Sequence, residues 1–144
     1  MKRAARFVPA GLWYAVICFF SAQTGSESQG VSDGVLELFG YDILNSPMAL
    51  SALLSFVIRK GAHMGVFFVL TALLYWALQE VGRPARGMWA AGLCAALAGL
   101  DEFHQTFVPG RSGRWQDVAI DALGALCFLA LAALVRAVWK KRRT

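Results

Sequence analysis

The sequence predicts an all-α, polytopic membrane protein. It has four transmembrane helices, with an extracytoplasmic amphipathic helical segment between the first two. Three observations carry that expectation. The chain has 144 residues, of which 58% are hydrophobic and only 16% charged, whereas soluble domains carry about 25% charged residues. Its mean hydropathy is +0.53. Its apolar residues gather into four runs, at about 7–22, 62–79, 87–104 and 116–138, and runs of that kind indicate membrane spans. The length suits one domain over 1–144, and no internal repeat, low-complexity tract or linker interrupts it.

The first run, "FVPAGLWYAVICFFSA", follows Lys2, Arg3 and Arg6. A basic start, an apolar middle and small residues afterwards imitate a signal peptide. Three further apolar runs favour an uncleaved first span. Pro9 falls near its start, where proline is tolerated. The stretch from Gln23 to Gly34, "QTGSESQGVSDG", is rich in Ser and Gly and reads as loop. Ser21, Ser26 and Ser28 lie in or beside it without a GxSxG motif, so they read as solvated residues rather than nucleophiles. Ser46-Pro47 is a helix-start signal, with Ser46 as cap and Pro47 at the first helical position. Beyond it Leu50, Leu53, Leu54, Val57 and Ile58 recur at helical spacing, with Ser51 and Ser55 on another face. That pattern makes the amphipathic segment, packed on the bundle or lying in the interface.

The second span follows Arg59 and Lys60 and carries His63 near its start. One helix from Pro47 to Leu78 would be about 48 Å long at 1.5 Å per residue. The hydrocarbon core is only about 30 Å thick, so the first part must lie outside it, bend or tilt. A Gly/Pro turn at 82–87 leads to the third span, whose last turns carry Asp101, Glu102 and His104. "VPGRSGRW" is the next loop, and the fourth span holds Asp121.

Charge placement orients the spans. With the N-terminus inside, cytoplasmic segments hold ten Lys and Arg residues, and the opposite side holds four: Arg59, Lys60, Arg111 and Arg114. That excess puts both termini in the cytoplasm and the polar residues outside. Trp residues near span ends read as interfacial anchors. The basic residues flank apolar runs, so they are topology signals and nucleic acid is not a predicted partner. Cys18, Cys94 and Cys127 sit within apolar runs without CxxC spacing and read as packing residues.

The candidate chemistry gathers at the extracytoplasmic ends. A carboxylate inside a span, such as Asp121, costs roughly 2.5–3.5 kcal/mol at midplane on insertion scales. It is therefore either a buried ion pair or a functional group. Asp117 is one turn earlier on the same face, at a helix N-terminus that stabilises negative charge. Gly124 continues that face and would admit a neighbouring helix closely. Asp101, His104 and Gln105 share a face by spacing, and Glu102 points elsewhere. Arg59 and His63 are four apart. Together with Lys60 and Arg111, these residues are expected to converge on one pocket.

Such a set suits three chemistries. His104 with Glu102 or Asp101 would form a catalytic acid-base pair. Arg59, Lys60 and Arg111 would grip a phosphate or carboxylate, with His63, Gln105, Asp117 and Asp121 completing the ligand site. A His/carboxylate group would suit a divalent cation. No HExxH or comparable spacing is present, so no metal and no cofactor are predicted.

Three blocks resemble the VanZ-like family of small bacterial integral membrane proteins. They are "FFSAQTG", "RKGAHMGVFFVLTALL" and "DEFHQTFVPGRSGRWQDVAIDALGAL". The last is the most specific, combining D-E-x-H-Q, P-G-R and D-x-x-x-D-x-x-G. Residues 31–58 carry no matching motif. The family's founding member is associated with low-level resistance to teicoplanin, a lipid-tailed glycopeptide. The resemblance therefore implies a bacterial cytoplasmic-membrane protein acting at the cell envelope. Its family does not fix a reaction.

The expected function is extracytoplasmic recognition of an anionic amphiphile, a lipoglycopeptide antibiotic or an envelope lipid intermediate. Membrane lipids are the other expected partners. Two alternatives stay open: a membrane-embedded hydrolase or transferase on a lipid-linked precursor, and a structural protein whose charges only lock the bundle. Oligomeric state is not legible in the sequence.

Overall fold

The computed structural model describes residues 3–143, and all regular structure among them is helical. A short 3-10 turn, Arg3–Phe7, leads into α1, Val8–Ser21. Helix α2 spans Gly25–Leu38, α3 Met48–Ala77, α4 Arg83–Gln105 and α5 Trp115–Lys141. Helix α3 is the hub, touching each of the other four. The core draws Ala10 and Ile17 from α1, Phe67, Leu70 and Leu74 from α3, Ala90, Cys94 and Ala98 from α4, and Ala125 from α5. Cys94 is therefore a packing residue, as its apolar setting suggested.

Small residues set the helix spacing. Ala90, Cys94 and Ala98 recur every four positions and make one fully buried stripe along α4. Gly124 does the same for α5. A Cβ built there would stand 2.2 Å from the Met64 carbonyl oxygen of α3. Only glycine lets the two backbones approach this closely, as its place on the Asp117–Asp121 face predicted.

The stretch expected as loop after α1 is helix α2. Its start is a reciprocal capping box. The Thr24 hydroxyl accepts from the Glu27 backbone N–H, and the Glu27 carboxylate accepts from the Thr24 N–H at 2.7 Å. The cap outweighs the low helix propensity of the Ser/Gly run. Ser28, Ser32 and Leu36 then recur every four residues and are buried. They face the serine side of α3, where Ser51 and Ser55 are buried too. Ser55 Oγ donates to Asp33 Oδ1 at 2.6 Å across this interface.

The amphipathic segment is not a separate element. Helix α3 runs unbroken for 30 residues, about 45 Å at 1.5 Å per residue. Its serines turn inward against α2, while Leu50, Leu53 and Val57 are exposed. Pro47 is its N-cap rather than its first helical residue. Ser46 caps nothing in α3, because its hydroxyl donates to the Asp42 carbonyl instead.

Among the described residues three segments, not four, are long and apolar enough to cross a membrane by length and composition. They are Arg3–Ser21, Met48–Ala77 and Trp115–Lys141. Helix α4 falls short for a physical reason. Eight of its fourteen residues from Gly87 to Leu100 are Ala or Gly, which contribute little hydrophobicity, and Asp101 and Glu102 follow at once. Outside the core the surface is greasy. Leu12, Phe19, Leu126 and Leu134 are more than half exposed, a pattern suited to lipid rather than to water.

Candidate functional site

The polar residues meet where α3, the end of α4 and the start of α5 come together. Antiparallel α4 and α5 bring Asp101–Gln105 beside Asp117–Asp121, and α3 passes both at Arg59–His63. The loop between α4 and α5 folds back over the junction. Gly110 sits at φ +72°, a left-handed conformation that glycine adopts freely. Its neighbour Pro109 accepts a hydrogen bond from the Gly25 N–H at 3.2 Å, which ties the loop to the start of α2.

Burial of this cluster is deep. Asp101 is 1% exposed, Glu102 5%, Gln105 4% and Asp121 0%. Gln105 links two groups: its Nε2 donates to Asp101 Oδ2 at 3.0 Å, and its Oε1 accepts from Arg111 at 3.2 Å. Glu102 Oε2 accepts from the Arg114 backbone N–H at 2.9 Å. Lys60 Nζ pairs with Asp117 Oδ1 at 2.5 Å. His63 Nδ1 lies 3.5 Å from Asp121 Oδ1. Several buried atoms remain without a hydrogen-bond partner: Asp101 Oδ1, Glu102 Oε1, both Asp121 oxygens and His63 Nδ1. Buried polar groups are nearly always paired, so this concentration makes the cluster the candidate site.

A cavity of about 310 Å³ opens beside the cluster, between α1, α2 and α3. Its walls include Trp13, Ile17, Phe20, Val31 and Val35, and its polar side holds Arg59, His63, Asp101 and Arg111. Burial, and after it the charge of Arg59, pushes the Arg111 guanidinium below its ordinary pKa. Two like charges thus share one apolar-walled space.

Ten residues were singled out from sequence, and the fold brings nine of them to one region. His104 is the exception. It is exposed, because it lies about 100° round α4 from buried Gln105. It shares the outer side with Phe103, which is 64% exposed. A His104–carboxylate pair is therefore not assembled. Glu102, expected to point elsewhere, is buried, because the returning loop and α5 cover a second side of α4. Lys60 does not line the cavity, being turned to Asp117. Arg59, one residue earlier, does line it. Asp117 serves that ion pair and makes no side-chain cap of α5. Sequence reasoning missed the part of α2. Ser28, Ser32 and Val35 line the cavity, and the Thr24-x-x-Glu27 signal could have revealed the helix carrying them.

Long apolar helices, lipid-suited outer faces and a buried ionisable cluster define an integral membrane protein. The sequence as a whole narrows that class. A family model described as VanZ/LLP1 matches residues 7–136, and the chain belongs to this family. No curated protein and no solved structure matched the chain.

Proposed function

We propose that this protein recognises an anionic amphiphile at the extracytoplasmic face of a bacterial cytoplasmic membrane. One observation carries the reading: Arg59 and Arg111 share a single cavity whose other walls are largely apolar. Two guanidiniums offer paired, charge-assisted hydrogen bonds to a phosphate or carboxylate. The apolar walls accept the first methylenes of a chain. A lipid-tailed glycopeptide and an envelope lipid intermediate both have this chemistry, and protection against teicoplanin would follow from the first.

In this reading α4 is the fourth span: its small residues Ala90, Cys94 and Ala98 pack inward, while Met88, Trp89 and Leu100 face outward. The ten-to-four distribution of Lys and Arg supports cytoplasmic termini. A cysteine placed at Ser112 should react with an impermeant thiol reagent from outside, and one at Ala85 only from inside. Labelling in the opposite sense would put the cavity in the cytoplasm and end the proposal.

The binding test uses purified protein with phosphatidylglycerol, phosphatidylcholine and teicoplanin. Anionic ligands should bind, and the double variant Arg59→Ala/Arg111→Ala should bind them at least about tenfold more weakly, since each charged hydrogen bond contributes roughly 1.5–3 kcal/mol. Equal binding by the variant would exclude the cavity. Expression in a teicoplanin-sensitive host, at matched abundance, asks whether the antibiotic is the ligand.

A second reading, a hydrolase or transferase on a lipid-linked precursor, is favoured by Asp101 and His63 standing in the same cavity. The imidazole in reach is then His63, not His104. Product formation from a lipid-linked phosphate, lost in His63→Gln, would separate the enzyme from a binder.

A further inference from the structure

The cluster holds more anionic charge than its own residues neutralise. His63, Glu102 and Asp121 come from three helices, and each offers a ligand atom within 4.8 Å of the other two. Asp121 is 0% exposed and Glu102 5%. Both Asp121 oxygens and Glu102 Oε1 have no hydrogen-bond partner. Lys60 is the nearby ammonium, and it is committed to Asp117. A protonated His63 would pair with one Asp121 oxygen. The second Asp121 oxygen and Glu102 Oε1 would still have no donor. Buried charges persist only when paired or when they coordinate metals.

We infer that His63, Glu102 and Asp121 bind one divalent first-row cation, Zn²⁺ or Mn²⁺. The inference does not rest on the amphiphile reading. The donor set is one imidazole nitrogen and two carboxylates, without thiolate. Imidazole suits zinc and carboxylate suits manganese, while a soft ion such as Cu(I) would want sulfur. Two carboxylates and a neutral imidazole offset the charge of a divalent ion. Donors about 2.1 Å from a tetrahedral ion stand roughly 3.4 Å apart. His63 and Asp121 already have that separation, at 3.5 Å, and the Glu102 donor lies within 4.8 Å of both. Three protein ligands leave a coordination position open. His63 also lines the cavity, which gives the ion an entry path.

The test is metal binding by the full chain in detergent, purified on a tag without histidines and stripped with chelator. Calorimetric titration with ZnCl₂ or MnCl₂ should give about one ion per chain. His63→Gln and Glu102→Gln should each weaken it at least about a hundredfold, beyond the roughly 10–100-fold typical of losing an outer-shell partner. His104→Ala, which changes an exposed imidazole, should leave affinity unchanged. X-ray absorption on the loaded wild type should show a nitrogen/oxygen shell with imidazole. Absence of saturable binding of either ion would overturn the inference. So would unaltered affinity in both glutamine variants. Should those variants fail to fold, a bound ion without an imidazole neighbour would overturn it equally.

Discussion

The two ends of the helix bundle are both charged, and they handle charge in opposite ways. At the end where α1 begins and α3 finishes, Glu80 is 43% exposed and meets Arg3 and Arg6, each at 2.6 Å. Arg86 lies over the Tyr75 ring at 3.9 Å, and Arg136 donates to the Tyr75 hydroxyl. Cations are in excess there, and apart from Arg86, whose Nε is buried without a hydrogen-bond partner, the charges named stay near the surface. At the other end Asp101, Glu102 and Asp121 are buried and each keeps an oxygen without a partner. Exposed pairs of the first kind contribute only about 0–1 kcal/mol. Buried, unpaired groups of the second kind are costly to hold, so the fold retains them for some other reason than stability. A net charge of +5 conceals this division.

Glycine substitutions should separate the ends most sharply. Gly124→Leu pushes a side chain into the α3 backbone at Met64, and nothing flexible can yield there. The expected loss is at least about 3 kcal/mol, the upper end of overpacking costs. It should be read as lost folding yield and a lower melting temperature in detergent. Gly11→Ala, near the other end, meets open space inside α1 and should not lower stability, since alanine is the better helix former. Equal tolerance at both positions would mean that α3 and α5 do not touch as described.

One substitution made at both ends gives the next comparison. Glu80→Gln and Glu102→Gln each remove one charge at constant shape. If the buried cluster binds a cation, wild-type stability rises by about 2.7 kcal/mol when free metal is a hundredfold above its dissociation constant. Glu102→Gln should lose most of that gain, and Glu80→Gln should keep all of it. Thermal unfolding with and without ZnCl₂ reads both. A gain that survives in Glu102→Gln would shift the ion to other ligands.

These contrasts also explain what the sequence could and could not show. Helical class, the convergence of nine polar residues and the role of Gly124 were legible, because spacing along a helix fixes which residues share a face. The burial of Glu102 was not legible. It depends on a loop folding back across α4, and periodicity within one helix says nothing of that. His104 is exposed for the converse reason, since a spacing of three places a residue near a face without ensuring that a neighbour covers it. Helix α2 was lost because its Ser/Gly composition was weighed and its cap was not. The third apolar run was read as a span like the others, but a run of Ala and Gly with Asp101 and Glu102 beside it is less apolar than the three segments that meet the length and composition of a span.

The smallest expected effect tests whether the cavity and the buried cluster are separable. Helix α2 supplies one wall of the cavity, whereas His63, Glu102 and Asp121 all lie on α3, α4 and α5. Thr24→Ala removes the hydroxyl that caps α2 and should cost about 1 kcal/mol, seen as faster amide exchange over Gly25–Leu38. The pH response has a definite sign. The Thr24 backbone N–H, and then its hydroxyl, hold the Glu27 carboxyl below the usual carboxylate range. Its contribution is therefore complete above the ordinary glutamate pKa and disappears as pH falls through the lower folded value. In Thr24→Ala, binding of anionic amphiphile should weaken modestly while metal affinity stays at the wild-type value. A parallel fall in both would show that α2 braces the whole polar end. The cavity and the cluster would then be one site rather than two neighbours sharing His63.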